Sequence, residues 1–408
     1  MSPVPSLSDV RQPSRVLTFD ILRGLAIMGI LIVHFANDFS GTWLLTPEQR
    51  AVMPFAGENT LVDHVINLLI IDKARTIFSF MFGVSFYLQL NSARRRGIAF
   101  RPLFLRRLAV LLIIGIVHAY LLFGGDILRY YVIGGLFLLL TYHWSSRRLV
   151  GVGLFLTIIM PLLSGIILRV AHIDSGHLET SATMTGGAID SYWGYLQRNY
   201  QWAVWSFTPA MLQTYCIPVL GNFLFGVWIA RAQYLQKPNE YRRPLSRLFK
   251  LGLGVSVTSK AVLFILDALL RHHVIESSLV QGWVHVLCWS ISYEALSLCY
   301  ICGVALLCRS ALWQRRLAVL APAGRMTLTN YVGQSIAGIL VFGGLGLFGK
   351  VGSAECLLIA LVFCSVQLLA SRWWLQRFRM GPLEWAWRSL AAWKRLPFRL
   401  ERPIAALA

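Results

Sequence analysis

The chain has 408 residues, 56% of them hydrophobic and only 14% charged, with a mean hydropathy of +0.61. Soluble domains carry roughly a quarter charged residues, so this composition excludes an ordinary soluble fold and implies an all-α, polytopic membrane bundle. The formal net charge of +20 would suit nucleic-acid binding, but the placement of the charges along the chain argues against it.

Residues 1–14 are a polar lead containing Pro and Ser. About ten membrane spans are expected, near 16–38, 75–91, 103–123, 127–143, 149–170, 209–231, 249–270, 281–308, 327–348 and 354–375. The first is too long, and too polar on one stripe, for a cleavable signal peptide, and it reads as a retained anchor. Residues 40–63 form a loop with Trp43, Pro47 and Pro54, and 171–208 form a longer segment rich in Trp and Tyr. The transmembrane unit covers 15–376, and 377–408 form a basic, Trp-rich tail, expected as an interfacial helix. The sequence Phe80-Met81-Phe82-Gly83-Val84 is echoed by Phe223-Leu224-Phe225-Gly226-Val227, a slight hint of duplication.

The basic residues set the expected orientation. Most of the 38 Lys and Arg fall in the N-terminal lead, in the loops near 94–107, 144–148, 232–248 and 309–325, and in the tail. By the positive-inside rule these segments are expected to be cytoplasmic, as are both termini. The positive charge is then an orientation signal and a contact for anionic lipid headgroups, and no nucleic-acid partner is expected. The seven cysteines all lie in apolar runs, which suits packing and gives neither a disulfide framework nor a metal site.

The polar residues inside the spans are the candidates for chemistry. In the first span Asp20, Arg23, His34 and Asp38 fall within about 60° of one another at 100° per residue. Ionisable groups in a span face protein or water, not lipid. Asp20 and Arg23 could equally be a snorkelled ion pair at the membrane edge. Gly24 on the same stripe leaves room for a narrow polar channel from Asp20 to His34. Arg75 opens the second span, where it is either an anchor or a ligand contact. His118 lies about two turns inside the end of the third span, ahead of Gly124-Gly125-Asp126 and Arg129. Asp126 either caps the next helix or turns towards the cavity of His34. Glu294 sits mid-span, Lys260 needs a partner such as Glu294 or Asp267, and Asn330 and Gln334 share one helix face, where amides often join helices. No nucleotide-binding loop, nucleophile elbow or zinc-protease motif occurs.

The runs RVLTFDILRGLAIMGILIVH, ARTIFSFMFGVSFYLQL, RRLAVLLIIGIVHAYLLFGGDILRYYVIGGL, GRMTLTNYVGQS and GPLEWAWRSL, in this order, resemble the YeiB family of bacterial membrane proteins, also called domain of unknown function 418. The N-terminal half is in turn similar to transmembrane acyltransferases of the acyltransferase 3 and heparan glucosaminide acetyltransferase families. In the former a first span of the form L-D-x-L-R-G ends in a functional histidine, and Asp20, Arg23, Gly24 and His34 match that spacing. The basic stretch after the second span is also alike, although the Ser-Gly order within FSFMFGVSF differs.

The resemblance implies an integral membrane acyltransferase. Its donor would be cytosolic acyl-CoA, its acceptor a hydroxyl or amine of an envelope glycan or lipid. His34 would be the base, with Asp20, Arg23 and Asp126 as further catalytic candidates. Arg75, His118, Arg129, Glu294, Asn330 and Gln334 are the candidate substrate contacts, and no metal is expected. The arginines of 94–107 could draw in the CoA phosphates. An ion-coupled transporter would use the same buried charges, and a non-catalytic scaffold or stress-response protein is the third reading.

Overall fold

The computed structural model describes residues 16–42, 45–163, 192–274 and 279–400. The lead 1–14, Trp43, the end of the fifth expected span (164–170) and the start of the aromatic segment (171–191) lie outside the described residues. Among the described residues the fold is helical throughout, with one isolated antiparallel bridge between Phe378 and Arg399.

In chain order the helices are α1 (Leu17–Phe39), α2 (Pro47–Ala51), α3 (Ala56–Leu69), α4 (Lys73–Arg95), α5 (Phe100–Leu121) and α6 (Leu128–Thr141). They continue as α7 (Ser146–Leu163), α8 (Tyr192–Trp205), α9 (Pro209–Ala232), α10 (Arg242–Arg271) and α11 (Gln281–Leu307). The C-terminal part comprises α12 (Ala311–Leu317), α13 (Ala321–Arg325), α14 (Thr327–Gly338), α15 (Ser353–Leu375) and α16 (Pro382–Ala392).

Among the described residues seven helices are long and apolar enough to cross a bilayer: α1, α5, α7, α9, α10, α11 and α15. The other three expected spans are helical but fall short of that standard. α4 carries Thr76, Ser79, Ser85, Gln89, Asn91 and Ser92 between charged ends, and α6 has only 14 residues. α14 ends after 12 residues and runs on as a six-residue π-helix, Ile339–Gly344.

The first helix is the centre of the bundle. Its most apolar window is 67% buried, against 17% for α7 and α10 and 22% for α15. α4, α11, α13, α14 and α15 all pack on it. The peripheral helices turn Leu251, Phe264, Leu358 and Leu369 outward, as a lipid-facing surface requires.

Two helix crossings rely on glycine pairs. A Cβ on Gly83 of α4 would fall on the carbonyl of Phe223, and one on Gly226 of α9 would fall on the carbonyl of Phe80. The two halves of the Phe-x-Phe-Gly-Val echo therefore meet each other, each glycine under the first phenylalanine of the other copy. α1 and α13 cross in the same reciprocal way: Gly24 lies against the Leu320 carbonyl and Gly324 against the Asp20 carbonyl. Without lipid-excluding hydrophobic drive, such close backbone approach is what holds spans together. Gly83→Ala is therefore expected to cost about 1–3 kcal/mol, read as a lowered melting temperature in detergent. Gly254→Ala on α10, where a Cβ meets nothing within 4 Å, should leave melting unchanged or slightly raised. Equal melting of the two variants would show that the α4–α9 crossing tolerates separation.

The first span departs from a uniform α-helix. Its last turn, His34–Phe39, is π-helical, so the angles that place Asp38 on the stripe no longer apply there. The wider turn brings Phe39 onto Gly338 of α14, where a Cβ would lie 2.6 Å from the phenyl ring. π-turns inside α-helices are frequent at functional sites.

Candidate functional site

The polar residues gather at two levels of the bundle, one near the end of α1 and one near its start.

The level at the end of α1 holds two histidines. The His34 ring packs on Phe123 (centroids 4.7 Å apart) and faces Tyr331 of α14 (6.0 Å). It is 12% exposed, and its Nε2 lies 3.9 Å from Asp38 Oδ2. Its Nδ1 is buried and has no hydrogen-bond partner among the described residues. Buried polar atoms in proteins nearly always have partners, and at this level His34 Nδ1 shares its lack of a hydrogen bond with His118 Nδ1 and Asp126 Oδ2. His118, on α5, packs against Tyr331 as well, with ring centroids 4.8 Å apart. His118 Nδ1 lies 2.8 Å from Asp126 Oδ2, and His118 Nε2 lies 2.9 Å from Ser335 Oγ. All three of these residues are at most 1% exposed.

Asp126 serves both candidate roles at once, with a different histidine from the one expected. Its Oδ1 accepts from the backbone N–H of Arg129 (3.1 Å), a cap on the first turn of α6. Its Oδ2 holds His118 rather than His34. The reason is local: the Gly124-Gly125 turn folds Asp126 back over α5 at Gly115, where a Cβ would meet Asp126 Oδ1 at 3.1 Å. The carboxylate beside His34 is instead Asp38, from the same stripe of the first span.

Other candidates are taken up by the fold. Arg129 is 5% exposed and donates to the carbonyls of Ala203 and Gly124 and to Ser206 Oγ, stapling the turn to the end of α8. Asn330 donates to the Ala323 carbonyl and Ser371, and Gln334 to the Ile27 carbonyl and Gln367. Both amides join α14 to its neighbours. Gly24 is filled by its crossing with α13, so it does not line a channel. Asp20 is buried against Arg23 at 3.3 Å, and the expected channel from Asp20 to His34 is replaced by packed helices.

A further polar group surrounds the start of α4. Arg75 pairs with Asp72 (2.8 Å) and lies over Tyr215 at 4.7 Å. Glu294 accepts from Asn222 Nδ2 (2.8 Å). Lys260 has neither Glu294 nor Asp267 as its partner: its ammonium sits over the Trp289 ring at 4.2 Å, and Lys73 approaches the same ring at 5.7 Å.

The level at the start of α1 contains a cavity of about 160 Å³. Its lining includes Arg23, Arg107, Arg325 and Arg388 together with Phe78, Phe82, Phe104 and Leu108. Arg107 donates to Gln89 Oε1, while its buried Nε has no partner among the described residues. Of the arginines in 94–107, Arg107 is the one that lines this cavity. The tail helix α16 closes one wall, docked on the bundle rather than lying free at an interface. Trp387 Nε1 donates to the Arg107 carbonyl (2.8 Å). Glu384, the acid of the wall, accepts from Leu328 N (2.7 Å), Thr329 N (3.2 Å) and Thr329 Oγ1 (2.5 Å). Burial pushes its carboxyl above the usual glutamate range, and these hydrogen bonds pull the other way. Both of its oxygens are thus committed to the start of α14, and the arginines dominate the charge of the cavity lining. Glu384→Ala removes that cap. It should cost about 0.5–2 kcal/mol and speed proteolysis of the tail; unchanged proteolysis would mean that α16 is held by Trp387 alone.

The profile of the family described as "Protein of unknown function (DUF418)" matches residues 229–394. The chain is also 30% identical to the uncharacterized protein YxaH of Bacillus subtilis, over 94% of this chain and 96% of that one. The chain belongs to the DUF418 family. A second relative, the uncharacterized protein YeiB of Escherichia coli, is 26% identical over 92% of this chain and 96% of its own. The DUF418 match includes Arg325, Tyr331, Ser335, Glu384 and Arg388, all part of the two levels described above. Of these, Tyr331, Ser335 and Glu384 lie in the runs GRMTLTNYVGQS and GPLEWAWRSL, but nothing in the sequence singles them out within those runs. His34, His118 and Asp126 lie before the matched segment but within the reach of the full-length DUF418 relatives.

Proposed function

We propose that this membrane protein transfers an acyl group from acyl-CoA, held at the arginine-lined cavity, to a hydroxyl or amine acceptor that meets His34. The observation that carries the reading is the unpartnered, buried Nδ1 of His34, beside Asp38 and at the opposite level from the cavity. A base needs a nitrogen free to take the acceptor proton, and a neighbouring carboxylate steadies the imidazolium that results. The cavity supplies what the donor needs: guanidinium groups suit phosphates, and an aromatic lining suits an apolar chain. By the positive-inside rule this cavity faces the cytoplasm of the inner membrane, where acyl-CoA is made. No metal is needed for this chemistry, and the acceptor is an envelope glycan or lipid.

Acyl-CoA is expected to bind the purified protein saturably. Arg107→Glu should weaken binding about tenfold or more, since a hydrogen bond to a charged group contributes about 1.5–3 kcal/mol. Saturable binding unaffected by Arg107→Glu would move the donor elsewhere, and no binding at all would end the donor reading.

The second reading is transport. It draws on the reciprocal Gly83–Gly226 crossing of α4 and α9, two similar segments meeting as a pair, a pattern found in transporters built from repeats. Solute flux in proteoliposomes without acyl-CoA binding would favour it.

A further inference from the structure

We propose that Ser335 is a nucleophile that carries the acyl group between donor and acceptor as a covalent serine ester. The inference rests on the acyl-transfer reading for the identity of the donor; the reactivity of the serine stands on geometry alone.

Three helical elements bring the groups together. Asp126 precedes α6, His118 lies on α5 and Ser335 on α14. Asp126 Oδ2 is 2.8 Å from His118 Nδ1, and His118 Nε2 is 2.9 Å from Ser335 Oγ. The carboxylate lies at ion-pair distance from Nδ1 without the alignment of a hydrogen bond, and its charge favours the tautomer with the ring proton on that nitrogen. Nε2 is then left with its lone pair to accept from the Ser335 hydroxyl. Asp126 cannot swing away, because its other oxygen caps Arg129. A carboxylate–imidazole–hydroxyl chain in this order is what deprotonates serine near neutral pH, and it is identified by geometry rather than by sequence order.

The behaviour of the other serines sharpens the point. A serine inside a helix commonly satisfies its hydroxyl on the carbonyl four residues back. Here Ser79 does so on Arg75, Ser297 on Tyr293 and Ser365 on Leu361. Ser335 turns its hydroxyl to His118 instead.

Its position suits a carrier. Leu328, Tyr331 and Ser335 lie at i, i+3 and i+7 on one face of α14. Leu328 lines the arginine-lined cavity, and Ser335 is about 10 Å further along the helix. Tyr331, which contacts both His34 and His118, lies between Leu328 and Ser335 along the helix.

The transfer divides into two balanced steps. Ser335 Oγ attacks the thioester carbonyl as its proton passes to His118 Nε2. The C–S bond breaks, and the departing thiolate takes that proton, leaving an acyl ester on Ser335. The acceptor hydroxyl or amine then attacks the ester carbonyl and gives its proton to His34. The bond between the acyl carbon and Ser335 Oγ breaks, and the proton held by His34 is returned to Oγ, which restores both side chains.

The test uses the purified full-length protein in detergent. Samples are treated with an alkyl fluorophosphonate, with a small dialkyl fluorophosphate, or with an acyl-CoA, and the Ser335 peptide is mapped by mass spectrometry. The expected result is a Ser335 adduct in the wild type, absent in Ser335→Ala and formed about 100-fold more slowly in His118→Gln. A folded wild type that takes none of the reagents at Ser335 overturns the proposal, and this arm needs no variant to fold. Full acyl transfer by Ser335→Ala also overturns it and leaves direct transfer from the donor cavity standing. Fluorophosphonate labelling of Ser335 without acyl-CoA binding supports the nucleophile and ends the donor reading, so the two failures are distinguishable.

Discussion

His34→Ala is expected to lower acyl transfer by about 10²–10⁴-fold, the usual contribution of a positioned general base, while leaving the protein folded. The ring occupies a π-helical turn at the end of α1 and packs between Phe123 and Tyr331. Its Nδ1 makes no bond within the described residues, and its Nε2 is 3.9 Å from Asp38, beyond hydrogen-bonding distance. Removing the imidazole therefore breaks no strong internal contact. The loss is chiefly aromatic packing, about 0.5–1.5 kcal/mol. Melting in detergent and transfer measured on the same preparation separate the two effects. Asp38→Asn, which keeps the packing and removes the charge, should lower transfer less than His34→Ala. A well-folded His34→Ala protein with undiminished transfer would make His34 a packing residue and remove the base from the proposed reaction.

How legible each feature was depended on the range of the interaction behind it. The helices could be read because apolar runs bounded by arginine clusters are local patterns. The importance of the first span was visible for the same reason, since four ionisable groups on one stripe cannot face lipid. The π-turn at its end was not, because it depends on how Phe39 meets Gly338 on a helix far along the chain. Gly24 shows the same limit. Its lack of a side chain suggested a channel, but the same space is filled by the Leu320 carbonyl of α13. Asn330, Gln334 and Arg129 were visible as costly polar groups in apolar surroundings, yet whether such groups bind ligand or join helices depends on neighbours distant in sequence. Nothing singled out Ser335 within its run, because serines are common in spans and only the direction of its hydroxyl sets it apart. The Phe-x-Phe-Gly-Val echo was legible as a repeat, and its physical content, two glycines each under the other copy's phenylalanine carbonyl, emerges only in three dimensions.

Asp126→Ala should be among the most destabilising single substitutions in the chain. The carboxylate is fully buried; it accepts from the Arg129 backbone N–H at 3.1 Å and lies at ion-pair distance from His118 Nδ1 (2.8 Å) and Arg129 Nε (3.7 Å). Arg129 in turn staples the Gly124 and Ala203 carbonyls and Ser206. Deleting the acid leaves a buried guanidinium without its counter-charge and α6 without its cap. Breaking a buried pair by removing one partner costs about 3–5 kcal/mol, because the charge left behind is desolvated and unpaired. A fall in melting temperature on the order of 10 °C should follow. Asp126→Asn keeps the shape and an acceptor for the Arg129 N–H, so it should lose less stability. Mechanism can be checked by removing the stranded charge as well: Arg129→Met in the Asp126→Ala background should recover part of the loss, since the penalty comes from the unpaired guanidinium. If the double variant is instead less stable than either single one, the staple made by Arg129 matters more than its charge. If Asp126→Ala melts with the wild type, the carboxylate contributes no net stability to the fold, and its contacts with His118 and Arg129 are maintained at no gain in folding.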